Sequence, residues 1–220
     1  MAGSRGVLLT AGMLAACLVA PQTGMGAAAG GGFRVTSSAF TDGGMLTVRN
    51  AADDPMRMCG GQNISPPLQW SNVPNGTKSF AIVLLDPDGR LGEGVVHWIA
   101  YGIPANVTSF AEGEMTKQSE KFVGGKGTRD NAMYIGPCPP VGEALHHYVF
   151  TVVATDLDPT ALKAGLTRDE FYKEIAGHAK GGTSIVGRYA RLFFANETKA
   201  RAYDARAFFV FALRRRTAID

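Results

Sequence analysis

SFAIVLLDPDGRLGEGVVHW, residues 79–98, joins an apolar run to a polar, glycine-bearing turn and a second apolar run. Residues 80–85 are a short, β-rich apolar run bounded by turn formers, which reads as a buried strand. The run ends in Asp86-Pro87-Asp88-Gly89, a glycine-bearing loop with Gly92 and Gly94 follows, and residues 95–101 read as a second strand with His97 near its start. Two carboxylates at one strand end and an imidazole at the beginning of the next can converge on one spot. Taken alone, Asp-Pro-Asp-Gly is an ordinary turn in which proline presets φ and glycine relieves strain. A second histidine segment shifts the weight toward a site.

Working outward, residues 68–70 are strand-like, and Val73-Pro74-Asn75-Gly76 is a turn feeding the buried strand. Farther upstream, residues 33–40 and 45–49 read as two short strands around Asp42-Gly43-Gly44, whereas residues 59–67 (CGGQNISPP) are too rich in turn formers for a regular element. Downstream, residues 111–131 show little periodicity and read as a long surface excursion of the kind that carries function or disorder. The rigid run 134–142 (YIGPCPPVG) leads into residues 145–155, LHHYVFTVVAT, a further strand. Strand alternation puts His146, Tyr148 and Phe150 on one face and His147, Val149 and Thr151 on the other. The two histidines therefore cannot serve one site without a bulge. Asp158-Pro159 opens an expected short helix to about residue 164. Thr167 and Glu170 have capping-box spacing for a helix to about residue 179, ended by Gly181-Gly182. Residues 183–190 are a last strand. Many short strands with one or two late helices predict a mainly antiparallel β domain.

The N-terminus reads as an export signal. Arg5 precedes the apolar run 7–20, which is short for a membrane span. Two processing routes fit: Leu14-Ala15-Ala16-Cys17 resembles a lipobox that would lipidate Cys17, and the small residues at 26–29 suit ordinary cleavage. The expected organisation is a signal peptide over 1–27, one domain over 33–191 and a C-terminal extension over 192–220. Of the formal charge of +3, Arg5 contributes +1 and residues 199–220 contribute +4, so the remainder carries −2. Such a domain has no electrostatic footprint for nucleic acid. Apart from Cys17, the cysteines are Cys59 and Cys138. In an exported protein the pair predicts a disulfide, since neither cysteine has a second one at metal-ligand spacing.

Asp86, Asp88, His97, His146 and Tyr148 form the candidate constellation, with residues 136–140 as a wall. A calcium loop counted from Asp86 fails, because its sixth position is Leu91 and its twelfth His97. A two-histidine, one-carboxylate metal site has no supporting helical spacing, so no metal or cofactor is expected. Nucleophilic hydrolysis lacks a G-x-S-x-G segment and would need Cys138, and Asp86 and Asp88 sit on one turn without the aromatics of a sugar cleft. What remains is binding. Imidazole, tyrosine hydroxyl and loop N–H groups suit a phosphate-like anion, and the nearby carboxylates suit an attached ammonium.

DPD followed by HW, CGGQNISPPLQW, GPCPPVG followed by LHHYVFTVVA, and GHAKGGTSIVGRYAR together resemble the phosphatidylethanolamine-binding protein family, in particular its bacterial Raf-kinase-inhibitor-like branch. The resemblance covers about residues 33–191. It implies an antiparallel Greek-key β-sandwich with a few peripheral helices. The anion pocket would then fall on Asp86, Asp88, His97, Gly136, Pro137, His146 and Tyr148, with a cis proline near it, Pro87 being the choice. It also supports the Cys59–Cys138 bridge. The implied role is non-enzymatic binding of a phosphate-type anion or phospholipid head group, in the periplasm or secreted. A protein-level inhibitor working through loops such as 111–131, and an Asp/His acid–base or metal enzyme, are the alternatives. A protein target and a homodimer are the partners left open. Two features depart from the family: His147 stands where arginine is usual, and the chain after Arg191 extends beyond the usual end.

Overall fold

The computed structural model describes residues 31–192. The expected signal peptide, Cys17 and the extension after residue 192 lie outside the described residues. Strand β4 (Ser79–Asp86) is the stretch quoted first, and it is flanked on both sides. It pairs antiparallel with β5 (Val95–Pro104) and with β8 (His146–Thr155). Its side chains enter two apolar clusters by alternation: Phe80, Ile82 and Leu84 go to one, Ala81 and Val83 to the other. Burial on both faces is why the sequence here is continuously apolar.

Around these three strands the sheet grows to six. β9 (Ala179–Tyr189) pairs antiparallel along β8, the short β2 (Gly44–Met45) joins β9 in parallel, and β7 (Val123–Gly124) flanks β5. The order is β2-β9-β8-β4-β5-β7. A second, antiparallel sheet holds β1 (Arg34–Thr36), β3 (Leu68–Ser71) and β6 (Ser109–Phe110) in the order β1-β3-β6. Val35, Leu68, Trp70 and Phe110 of this sheet share one core with Phe80, Ile82, Leu84, Trp98, Phe150 and Val152 of the larger one. Trp70 meets Phe80 edge-on at 5.4 Å between ring centroids. The opposite face of the large sheet is covered by helix α1 (Arg168–Glu174), whose Phe171 stacks on Tyr101 at 5.6 Å. The fold is mainly β.

Several local expectations change. Among the described residues there is one α-helix, not a few. The Thr167/Glu170 capping box forms, but α1 stops at Glu174 and the chain turns at Gly177 (φ 83°). β9 then begins at Ala179 and runs through Gly181 and Gly182, because pairing with Ala154 and Val153 outweighs the breaking tendency of two glycines. Residues 158–164 form turns instead of a helix, held where the Tyr101 hydroxyl donates to the Lys163 carbonyl and accepts from the Leu166 N–H. The 111–131 excursion is not wholly superficial, since Met115 and Phe122 enter the core. No cis peptide occurs among the described residues, so Pro87 is trans. That turn is closed by the Asp86 carboxylate, whose Oδ1 accepts from the N–H groups of Asp88 (3.0 Å) and Gly89 (3.1 Å).

The Cys59–Cys138 disulfide is formed, with 5.4 Å between Cα atoms. Arg191 reinforces it by donating to Cys138 Sγ, to the Pro139 carbonyl and to the Met58 carbonyl.

Candidate functional site

Asp86 closes β4 with its side chain buried. With Oδ1 used in the turn, Oδ2 points across to β8 and lies 2.8 Å from His146 Nδ1. The other ring nitrogen of His146, Nε2, lies 3.0 Å from Oε2 of Glu143, an exposed residue of the loop before β8. A carboxylate only accepts, so the geometry at both ring nitrogens favours the doubly protonated, imidazolium form of His146. Burial opposes that charge, but hydrogen bonds to Asp86 and Glu143 outweigh it and raise the His146 pKa.

His97 reaches the same carboxylate through an irregularity. Leu84 faces Trp98 while Leu85 faces Val96, so His97 is the extra residue of a β-bulge. Val96 packs on the α1 side and Trp98 on the inter-sheet side. The bulge lets His97 share a side with Trp98, and its ring meets Tyr148 edge-on at 5.3 Å. Nδ1 donates to the Ile135 carbonyl at 2.9 Å, which leaves Nε2 as a lone pair 4.0 Å from Asp86 Oδ2. Burial pushes the His97 pKa down to about 4, only partly opposed by the Ile135 carbonyl and Asp86. The two histidines beside Asp86 therefore shift in opposite directions, His97 down and His146 up.

The expected wall positions rather than donates. The Gly136 N–H is taken by Asn63 Oδ1 at 2.8 Å, and the Pro137 carbonyl accepts from the Ala52 N–H at 2.9 Å. A Cβ on Gly136 would land on the Asn50 carbonyl, so only glycine fits. Tyr148 is wholly buried, its hydroxyl has no hydrogen-bond partner among the described residues, and burial raises its pKa strongly. An orphaned buried hydroxyl beside a cation is an open place for an acceptor.

Asp88 turns outward from this cluster. Its Oδ2 accepts from the His147 N–H at 2.7 Å and lies 3.0 Å from His147 Nδ1. The hydrogen bonds from His147 and the charges of His147 and His146 outweigh desolvation and lower the Asp88 pKa. The two histidines of β8 do face opposite ways, and the DPD turn gives each its own carboxylate. His147, at the position where arginine is usual in the family, thus has a carboxylate partner in Asp88. One ligand atom each from Asp86, Asp88 and His146 lies within 4.8 Å of the others, so these three could hold a metal ion.

Two site residues escaped the sequence reading. Glu143 had a faint signal, three positions before His146. Arg129 had none beyond membership of the 111–131 excursion. Its side chain is three-quarters covered and approaches Asp54 at 3.8 Å, a carboxylate it shares with Arg57 at 3.6 Å. Its charge is felt by both His97 and Tyr148. The site thus combines acceptors (Asp86, Asp88, His97 Nε2) with donors (His146, Tyr148, Arg129). A groove of about 300 Å³ lies elsewhere, beside α1, with lining charges of both signs (Arg90, Glu93, Lys126, Arg168, Asp169).

The phosphatidylethanolamine-binding protein family profile matches residues 36–190. A UPF0098 protein of Aquifex aeolicus is 32% identical over 170 residues, covering 73% of this chain and 98% of that one. A Mycobacterium tuberculosis protein carrying the name lipoprotein LppC is 36% identical over 159 residues, 70% of this chain and 71% of its own. The crystal structure of Escherichia coli YbcL, titled a new member of the mammalian PEBP family, superimposes with a TM-score of 0.65 at 33% identity. It covers 72% of this chain and 98% of that one.

Proposed function

Because the chain belongs to the phosphatidylethanolamine-binding protein family, we propose that it is a non-enzymatic binding protein whose Asp86–His97–His146–Tyr148 site takes a phosphate-type anion or phospholipid head group. The observation that carries this reading is the charged His146, held by Asp86 on one side and presenting Nε2 on the other. The orphaned Tyr148 hydroxyl and the three-quarters-covered Arg129 support it with two more donors. Gly136 and Pro137 hold the Ile135 carbonyl against His97. Asp86, Asp88 and the His97 lone pair suit the ammonium of a zwitterionic head group. The Greek-key sandwich belongs to the same reading, supported by two sheets that share one core. So does export, with a signal peptide at 1–27, a domain at 33–191, an extension at 192–220 and lipid on Cys17, which the name of the LppC relative favours. A homodimer is the oligomeric form we attach to it, read out by native mass spectrometry.

Titration with inorganic phosphate and with phosphorylethanolamine, followed on the His97 and His146 ring resonances, tests the reading. Movement of His146 at millimolar ligand is expected. Silence of both histidines overturns it. A protein-level interaction module is the second reading, favoured by loop side chains that stand in solvent (Met56 94%, Met58 77% and Leu91 fully exposed). Inhibition of a protease unaffected by His146→Gln would favour it. The Asp/His acid–base or metal enzyme rests on the three clustered ligand atoms, and metal analysis of the purified protein reads it out directly.

A further inference from the structure

Nε2 of His146 is the ring nitrogen turned away from Asp86, and it is not free. Glu143 Oε2 sits on it at 3.0 Å. The Glu143 side chain is 54% exposed, whereas that of His146 is 7% exposed, so a carboxylate from the solvent side has been seated on a buried cation. Its backbone is anchored for this. Cys138 is tied by the disulfide, Val141 bridges to Arg191, and the Gly142 N–H donates to the Arg191 carbonyl at 2.8 Å. Gly142 adopts φ 84°, a left-handed turn that only glycine takes readily, and Glu143 follows directly. The carboxylate itself makes no other side-chain hydrogen bond among the described residues.

Charge counting gives the same picture. Asp86 and His146 neutralise each other, which leaves the outer nitrogen able to hold one further anion, and Glu143 fills that place. Two residues on along the same face of β8, the Tyr148 hydroxyl is wholly buried and without a partner among the described residues, within the field of Asp86 and Asp88. Glu143 leaves that donor unused.

We propose that Glu143 is an internal ligand, its carboxylate occupying the anion position on His146 Nε2, so that external anions bind by displacing it and carboxylates belong to the ligand class alongside phosphates. This rests on the anion-binding reading above and adds a competition built into the chain. An entering anion exchanges one negative charge for another, while Glu143 needs only a side-chain rotation to reach water. The exchange therefore requires no movement of the pinned 137–145 loop.

Full-length protein, Glu143→Ala and Glu143→Gln are titrated with inorganic phosphate and with acetate, following the His146 ring nitrogens by NMR. In Glu143→Ala, phosphate is expected to bind about tenfold more tightly than in the parent, the size of one charge-assisted hydrogen bond. Acetate at tens of millimolar should shift His146 Nε2 in Glu143→Ala and leave the parent unmoved. Glu143→Gln, which keeps the shape and an acceptor oxygen, should fall between them. Equal phosphate affinity in parent and both variants, with acetate silent in Glu143→Ala, overturns the internal ligand while sparing the anion-binding reading. Phosphate silent in the parent, with acetate or phosphate moving His146 in Glu143→Ala, supports the internal ligand and removes the parent's phosphate binding instead.

Discussion

His97 and His146 stand by the same carboxylate with pKa values moved in opposite directions, and their surroundings account for the difference. His146 has a carboxylate at each ring nitrogen and gains its proton. His97 has a carbonyl on Nδ1, little water around it, and a pKa near 4. The signs of the pH linkage therefore differ. The His97 value is depressed below the ordinary 6.5, so its contribution to stability is complete above pH 6.5 and is lost as pH falls through about 4. A drop of that size corresponds to about 3 kcal/mol. The His146 value is raised, so its contribution is present below about 6.5 and is lost as pH rises through the folded value. Urea unfolding from pH 7 to 4 should show the parent losing about that much stability between 6.5 and 4, and His97→Gln losing clearly less. Parallel curves would remove the neutral, buried His97 from the account. Asp88, whose pKa is lowered, acts in a separate window: its contribution is present above its ordinary carboxylate range and lost at lower pH.

Two elements place these residues: a bulge in β5 and a disulfide-pinned loop. The Cys59–Cys138 bridge closes a separation of 79 residues, and loop-closure entropy gives it about 4 kcal/mol. Replacing both cysteines by serine should lower unfolding stability by roughly that amount in chemical denaturation. The change should also weaken phosphate binding, because Cys138 anchors the loop carrying Glu143 and the run that holds His97. Gly136→Ala drives a Cβ into the Asn50 carbonyl and should cost about 3 kcal/mol or more, measurable in the same way. Much of this was legible in the sequence. The apolar runs at 80–85, 95–101 and 145–155 are strands because each loads a cluster by alternation. The opposite facing of His146 and His147 follows from the same period. The His97 bulge was not legible, since neither a glycine nor a proline marks it and only the register against Leu84 and Leu85 reveals it. Local helix signals misled at 158–164, where a single tyrosine hydroxyl fixes an irregular path. Arg129 was invisible for a related reason: its approach to His97 and Tyr148 is purely tertiary.

Across the whole molecule, the large sheet does two jobs. Its apolar faces hold the two clusters, and the ends of β4, β5 and β8 bring Asp86, His97 and His146 together at one edge of the core. Rigid strands with a pinned loop suit a site that selects by charge placement and changes little on binding. The proposal these residues carry is that an anion is held on the His146 ring, oriented by Asp86. Calorimetric titration of the full-length protein with phosphorylethanolamine, beside His146→Gln, tests it most directly. The account predicts one saturable binding event per chain in the parent and its loss in the variant. No heat of binding in the parent, or the same isotherm in both proteins, would contradict it.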